Sequence, residues 1–197
     1  MPNPKVSLSA KLLANPPKNG CYYLIAIDGR SAAGKTTLTS YLQDLMPGFS
    51  VINGDDYFEP IEHPITWGGY NEERFYQDVI KPLSQTQTTI NFRPYDWDSQ
   101  SDTKSQTINI NKGLFIDRCY SFSFDLNYDL KVWVEAPRDL TLNRGISRSS
   151  MPKERAEKVW RELWKPLEDE YIKETNPKDM ADIVIDGTQS YDQQIVA

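Results

Sequence analysis

The sequence predicts an α/β domain with a mostly parallel sheet flanked by helices, and three observations point to it. Short, nearly continuous apolar runs alternate with segments of helical spacing, and runs of that kind are how strands buried on both faces read. A glycine-containing loop joins the first of these runs to a helical segment, which is the order of a strand–loop–helix unit. The 197 residues, 39% hydrophobic and 25% charged, suffice for one sizeable core, so a single domain is expected over 1–197.

Taken in order, residues 1–20 form an N-terminal extension with a short helical stretch, "SLSAKLLA", closed by Asn15-Pro16-Pro17. "CYYLIAI", from Cys21 to Ile27, is the first buried strand. "KTTLTSYLQDLM" is a helix stopped by Pro47-Gly48, and "FSVIN" is the second strand. "NEERFYQDVIKPL" places Phe75, Tyr76, Val79, Ile80 and Leu83 at helical spacing. Residues 84–111 are polar and rich in Thr, Gln, Ser and Asn; they predict loops or a small hairpin around "INFRPYDW", inserted as a lid. "GLFID" and "LKVWVEAP" are the third and fourth strands. "RDLTLNRGISRS" begins as a helix and turns basic, and "KERAEKVWRELWKPLEDEYIKE" is a long amphipathic helix with a proline part-way along it. "ADIVIDG" is the last strand.

The net charge of −6 and a pI near 4.9 argue against a general affinity for nucleic acid or anionic lipid, because the long-range field repels both. Two cysteines, Cys21 and Cys119, are too few for a disulfide framework or a metal cluster, and the single His63 cannot build a histidine metal site. The first twenty residues carry no continuous apolar stretch of the secretory type, and no run approaches the roughly 18 apolar residues of a membrane span. A cytoplasmic protein is expected.

The loop "GRSAAGKT", Gly29 to Thr36, fits G-x-x-x-x-G-K-[ST] at every fixed position. In that pattern the backbone N–H groups turn inward around phosphates, the lysine neutralises their oxygens and the hydroxyl ligates Mg²⁺. The loop residues expected to bind the nucleotide are Gly29, Ser31, Ala32, Ala33, Gly34, Lys35, Thr36 and Thr37. A P-loop needs a further acidic group for the metal, usually at the end of a neighbouring strand, and "GLFID" supplies Asp117. Three classes share these elements: a switch GTPase, a motor-type ATPase and a small-molecule kinase. The first requires an Asn-Lys-x-Asp clamp, and the one Asn-Lys pair, Asn111-Lys112, continues as Gly113-Leu114.

With these segments in view, "AIDGRSAAGKTTL", "NGDDYF", "RPYDW", "VWVEAPRDLTLNRGISR", "PLEDEYI" and "ADIVIDG" together resemble the uridine kinase-like P-loop kinases, a group that includes nicotinamide riboside kinase, phosphoribulokinase and bacterial pantothenate kinase. The segments fall in the family's order from about Tyr22 to Gly187. The resemblance implies a P-loop nucleoside-kinase fold with a small lid and an ATP- and Mg²⁺-dependent transfer of the γ-phosphate to a hydroxyl of a small metabolite. Uridine or cytidine is the first expectation for that acceptor. Nicotinamide riboside, pantothenate or a sugar phosphate are the alternatives, as is a nucleotide-binding regulatory protein without turnover.

By the same resemblance Asp55 is the base and a metal contact, with Thr36 and Asp117 holding the metal and Lys35 and Arg144 stabilising phosphate charge. Arg148, four residues beyond Arg144, shares its face if that segment is helical. Tyr57, His63, Asn71, Arg93 and Tyr95 are the expected substrate contacts, Trp97 an anchor of the hairpin, and Asp56 a turn residue. From the charge and the apolar runs no nucleic-acid or membrane partner is expected, and a homo-oligomer stays open. The chain departs from the family at Asp117-Arg118, where Glu-Gly is common. A long cation there could meet an acidic substrate or point into solvent.

Overall fold

The computed structural model describes residues 6–59, 69–99 and 101–196. The chain runs through β1 (Val6–Ser7), α1 (Leu8–Leu13), β2 (Tyr23–Gly29), α2 (Lys35–Leu45) and β3 (Phe49–Asn53). A tight turn, Gly54–Tyr57, follows, then α3 (Glu72–Phe75) and α4 (Lys81–Ser84). The strands β4 (Thr89–Phe92), β5 (Tyr95–Asp96), β6 (Ser101–Asp102) and β7 (Gln106–Asn109) form two antiparallel pairs, β4 with β7 and β5 with β6. The expected insertion is therefore a pair of nested hairpins. The rest comprises β8 (Gly113–Asp117), β9 (Leu130–Glu135), α5 (Arg138–Arg148), α6 (Lys153–Val159), α7 (Lys165–Thr175), α8 (Pro177–Met180), β10 (Ile183–Asp186) and β11 (Ile195–Val196).

Five strands make one parallel sheet in the order β3-β8-β2-β9-β10. All of β8 and six residues of β2 are buried, which is why both read as apolar runs rather than alternations. Successive residues face opposite layers. Leu24 and Ala26 join Leu114, Ile116 and Phe75 in one core, while Ile25 and Ile27 join Leu38, Phe115 and Val132 in the other. After β2 the chain fills the β8–β3 side and then crosses to β9 and β10. The carboxyl end of β2 is thus a switch point, where open α/β sheets leave a crevice for ligands.

Two helices depart from the simple pattern for one reason. In the segment read as a long amphipathic helix, a π turn at Trp160–Trp164 separates α6 from α7, and a second π turn at Tyr76–Ile80 separates α3 from α4. Each ends beside a proline, Pro166 or Pro82, and the residue before it donates its N–H five residues back, Lys165 to Trp160 and Lys81 to Tyr76. A proline ring clashes with the carbonyl four residues back, and the wider turn relieves that clash.

The N-terminal extension, for which the sequence suggested no role, docks onto the end of the chain. Val6 pairs with Ile195 in parallel, and Leu8 and Leu12 are buried in the second core. No helix among the described residues is long and apolar enough to cross a membrane.

Candidate active site

The loop between β2 and α2 closes over Lys35, a buried residue whose Nζ donates to the carbonyls of Gly29 and Arg30 (3.1 Å each) and to Cys119 Sγ (3.0 Å). Burial works against the Lys35 ammonium, but Cys119 and Asp117 outweigh it and hold its pKa above the ordinary lysine value. Gly34 caps α2 at φ 111°, a left-handed conformation that suits glycine. Ala32 also adopts φ 65°, and such positions persist where the surroundings enforce them, often at ligand clamps.

Asp117, the last residue of β8, is buried and its Oδ2 has no hydrogen-bond partner. Burial pushes its carboxyl up, while Lys35 and Thr36 pull it back. Among the described residues no cluster of three or more His, Cys, Asp or Glu side chains is placed to hold a metal unaided. An orphaned buried carboxylate oxygen beside a threonine hydroxyl nevertheless fits Mg²⁺, which takes one or two carboxylates and completes its shell with phosphate oxygens and water. Thr36, Asp117 and Asp55 would hold it.

The loop is braced from behind. Ser31 N–H donates to Glu168 Oε1 (2.9 Å), and Lys165 Nζ donates to the Ser31 carbonyl (3.2 Å) and to Glu168 Oε2 (2.7 Å). Lys165 and Glu168 are both buried, and Arg30 bridges to Asp169 on the same helix at 2.7 Å. The peptide groups of Ser31 are therefore spent on α7, leaving the inward cradle to begin at Ala32. Replacing Glu168 with Gln is expected to weaken ATP binding on the order of tenfold, because losing its charge leaves Lys165 buried without a counter-ion. Titration with a fluorescent ATP analogue checks this, and an unchanged affinity would show that the brace does not shape the loop.

Beside the loop Asp28 is wholly buried and accepts four hydrogen bonds: from Gly29 N–H (2.6 Å), Tyr120 N–H (2.9 Å), Phe122 N–H (3.1 Å) and Tyr171 O–H (2.7 Å). Neither Asp28 nor the Lys165–Glu168 pair was anticipated from sequence.

Three adjoining hollows surround the loop. The central one, about 260 Å³, is lined by Lys35, Thr36, Thr37, Asp55, Asp117 and neighbours. An outer one of about 430 Å³ lies between Ala32, Gly34, Thr37, Arg144 and the segment Gly187–Tyr191. An aromatic one of about 300 Å³ is walled by Phe58, Tyr70, Trp97, Trp160 and Trp164. Asp55, Ser31 and Tyr70 border both the central and the aromatic hollows, and Arg148 borders all three.

The expected residues divide accordingly. Lys35, Thr36, Asp55 and Asp117 come together; Arg148 joins them, whereas Arg144 donates to the Gly187 carbonyl (3.0 Å) in the outer hollow and does not line the central one. Gly29 contributes its carbonyl to Lys35 and Ala33 is fully buried; neither lines any of these three hollows. Several substrate expectations are corrected. Tyr57 is 0% exposed, packed against Phe75 and Phe92, so it is core rather than pocket wall. Tyr95 lies behind the wall, against Phe58 and Trp97. Asn71 caps α3 by accepting the Arg74 N–H at 2.8 Å. Arg93 is exposed and borders none of the three hollows. His63 lies outside the described residues.

Arg118 takes neither expected course. Its side chain is 0% exposed, paired to Glu72 and enclosed by aromatic rings. Trp97, expected as an anchor, is 45% exposed and faces the aromatic hollow. The tryptophans of the π turn, Trp160 and Trp164, were missed; their helical spacing reads as core until the turn is known.

Asp56, beside Asp55, is half-buried; burial, then the Asp55 charge, raise its pKa from the ordinary 3.8 to about 6. A carboxyl raised in this way favours the folded state when protonated. Its contribution is fully present below pH 3.8 and is lost as the pH rises through about 6. Asp56→Asn is therefore expected to raise Tm at pH 8 in metal-free buffer and to leave it nearly unchanged at pH 4. Thermal melts at the two pH values check the sign.

A parallel sheet with a phosphate-type loop at its switch point and a lysine–carboxylate centre facing a separate aromatic hollow defines a P-loop kinase fold. No protein-family model matches the chain. It is 24% identical over 186 residues to proteins named uridine kinase from Borrelia duttonii (strain Ly) and Borrelia recurrentis (strain A1), covering 82% of this chain and 85% of each relative. Among solved structures it is similar to a possible uridine kinase from Bacillus stearothermophilus (TM-score 0.68, 18% identity, 91% of this chain and 95% of the other). It is also similar to a protein described as a fructose transport system kinase candidate from Silicibacter sp. TM1040 (TM-score 0.65, 16% identity, 90% and 97%). The chain thus shares the fold of the P-loop kinases and is similar, over most of its length, to proteins named uridine kinase.

Proposed function

We propose that this protein transfers the γ-phosphate of Mg·ATP to a hydroxyl of a nucleoside or similar small metabolite, with uridine or cytidine the first acceptors to try. The observation that carries this reading is the order of the hollows. A nucleotide with its phosphates over Lys35 would extend its base and ribose into the outer hollow, between Arg144 and Tyr191. The aromatic hollow on the other side would take the acceptor, and Asp55 stands where that hollow meets the central one that would hold the phosphates.

Ring faces such as those of Phe58 and Trp97 suit a flat base or the apolar face of a sugar. Asp55 accepts the proton of the acceptor hydroxyl as the oxygen attacks. Lys35 and Arg148 stabilise the charge spread over the transferring group, and Thr36, Asp117 and Asp55 would hold a metal ion that would supply further neutralisation of phosphate charge. Positioning accounts for most of the acceleration, since phosphoryl transfer asks for little covalent help.

ADP release from Mg·ATP, measured against uridine, cytidine, nicotinamide riboside, pantothenate and ribulose 5-phosphate, tests the reading. Stimulation by one nucleoside supports it, and stimulation by the sugar phosphate or pantothenate alone moves the acceptor class. ATP binding without turnover on any acceptor would favour a regulatory nucleotide-binding protein.

A further inference from the structure

We propose that Arg118 is a positioning residue for Asp55, acting through the ring of Tyr70; this rests on the phosphotransfer reading, in which Asp55 is the base. Arg118 directly follows the candidate metal residue Asp117, and its side chain is 0% exposed. An arginine buried so completely is costly unless its charge is met. Here one nitrogen, Nη2, donates to the Glu72 carboxylate at the start of α3. The guanidinium carbon lies 4.4 Å from the ring centre of Tyr70, 4.4 Å from that of Phe75 and 4.8 Å from that of Phe124. Nε and Nη1 have no hydrogen-bond partner, so the surrounding π faces are what meet the remaining charge.

Of these rings, Phe75 belongs to the core, whereas Tyr70 reaches the reacting centre. Its hydroxyl donates to Asp55 Oδ1 at 3.2 Å, and its side chain borders both the central and the aromatic hollows. Asp55 is exposed, and among the described residues Tyr70 gives its carboxylate the hydrogen bond that restrains it. The Arg118 stem makes a second connection. A methyl group on Gly54 would collide with Arg118 Cβ, which places that stem directly against the turn carrying Asp55. One buried side chain therefore supports both the turn and the tyrosine that orient a single exposed carboxylate. The ladder continues this support, with Asn53 paired to Asp117 and the Arg118 N–H donating to Ile27 O at 3.2 Å.

A double-mutant cycle tests the connection. Arg118→Met keeps the stem and removes the charge, and Tyr70→Phe removes the hydroxyl. Each is expected to lower kcat about tenfold, with KM for ATP changed less than about twofold. The double variant should be no slower than the worse single one, and Arg118→Lys should recover most of the loss. Multiplicative losses, an unchanged kcat in Arg118→Met, or a loss confined to the acceptor KM, as direct contact with an anionic acceptor would give, overturns the proposal.

A second measurement needs neither turnover nor the methionine variant. In protein labelled with ¹³C at the tyrosine ζ position, the Tyr70 resonance, assigned with Tyr70→Phe, should move in Asp55→Asn and in Arg118→Lys. A Tyr70 resonance that is indifferent to Arg118→Lys overturns the inference. If no acceptor stimulates the wild-type protein, the kinase reading fails and this resonance still decides the role of Arg118.

Discussion

Asp55→Asn is expected to lower kcat by about 10³-fold while leaving ATP affinity within about threefold, because in the proposed reaction the change removes a base and not a phosphate contact. Asn is isosteric and still accepts the Tyr70 hydrogen bond, so the turn at Gly54–Tyr57 should keep its shape. What is lost is a group able to take the acceptor proton at the boundary between the central and aromatic hollows. Steady-state ADP release and binding of a fluorescent ATP analogue, run on the same preparation, separate the two quantities. A kcat that recovers on raising Mg²⁺ would show instead that Asp55 acts mainly in holding the metal. A kcat within threefold of wild type would remove Asp55 from the chemistry altogether.

The second large effect is on stability. Asp28→Ala is expected to destabilise the protein by roughly 3 kcal/mol, a drop in Tm of about 6–12 °C for a chain of this size. The carboxylate is 0% exposed and gathers donors from three separate parts of the chain: Gly29 at the loop, Tyr120 and Phe122 after β8, and Tyr171 on α7. Removing it takes a shared buried acceptor away from those donors and leaves a cavity. Burial pushes the Asp28 carboxyl up while Tyr171, Phe122, Gly29 and Lys35 draw it down, so the folded site depends on all its donors remaining in place. Asp28→Asn should also destabilise, since its amide would turn N–H groups toward N–H and O–H donors. Calorimetric melts measure both, and a drop below about 2 °C would mean that the site reorganises around water.

The loop Gly29–Thr36 was legible because its chemistry is local: the glycines, the lysine and the threonine are neighbours in sequence, and a buried strand and a helix bracket them. The strands of the main sheet were legible for a related reason: burial on both faces leaves β8 and most of β2 as apolar runs, and the edge strands β3 and β10 keep short apolar stretches of their own. Asn71 could have been read as a cap, since Asn before Glu-Glu-Arg is a local helix-start signal; the resemblance drew attention to a substrate role instead. Tyr57 could not be separated from a pocket residue, because an aromatic side chain at the end of a strand suits either place until its neighbours are known.

The chain by itself thus determined the α/β class and the phosphate loop with its lysine, since each depends on spacing within about a dozen residues, whereas the part expected of Asp55 came from the family resemblance. Only the tertiary structure decided which charges are buried and what meets them. Asp28 finds Tyr171 at 143 residues' separation, Glu168 finds Ser31 at 137, and Arg118 finds Glu72 at 46. The cost of burying a charge is met by partners that folding brings from distant segments, and no local pattern in the sequence records which partner arrives.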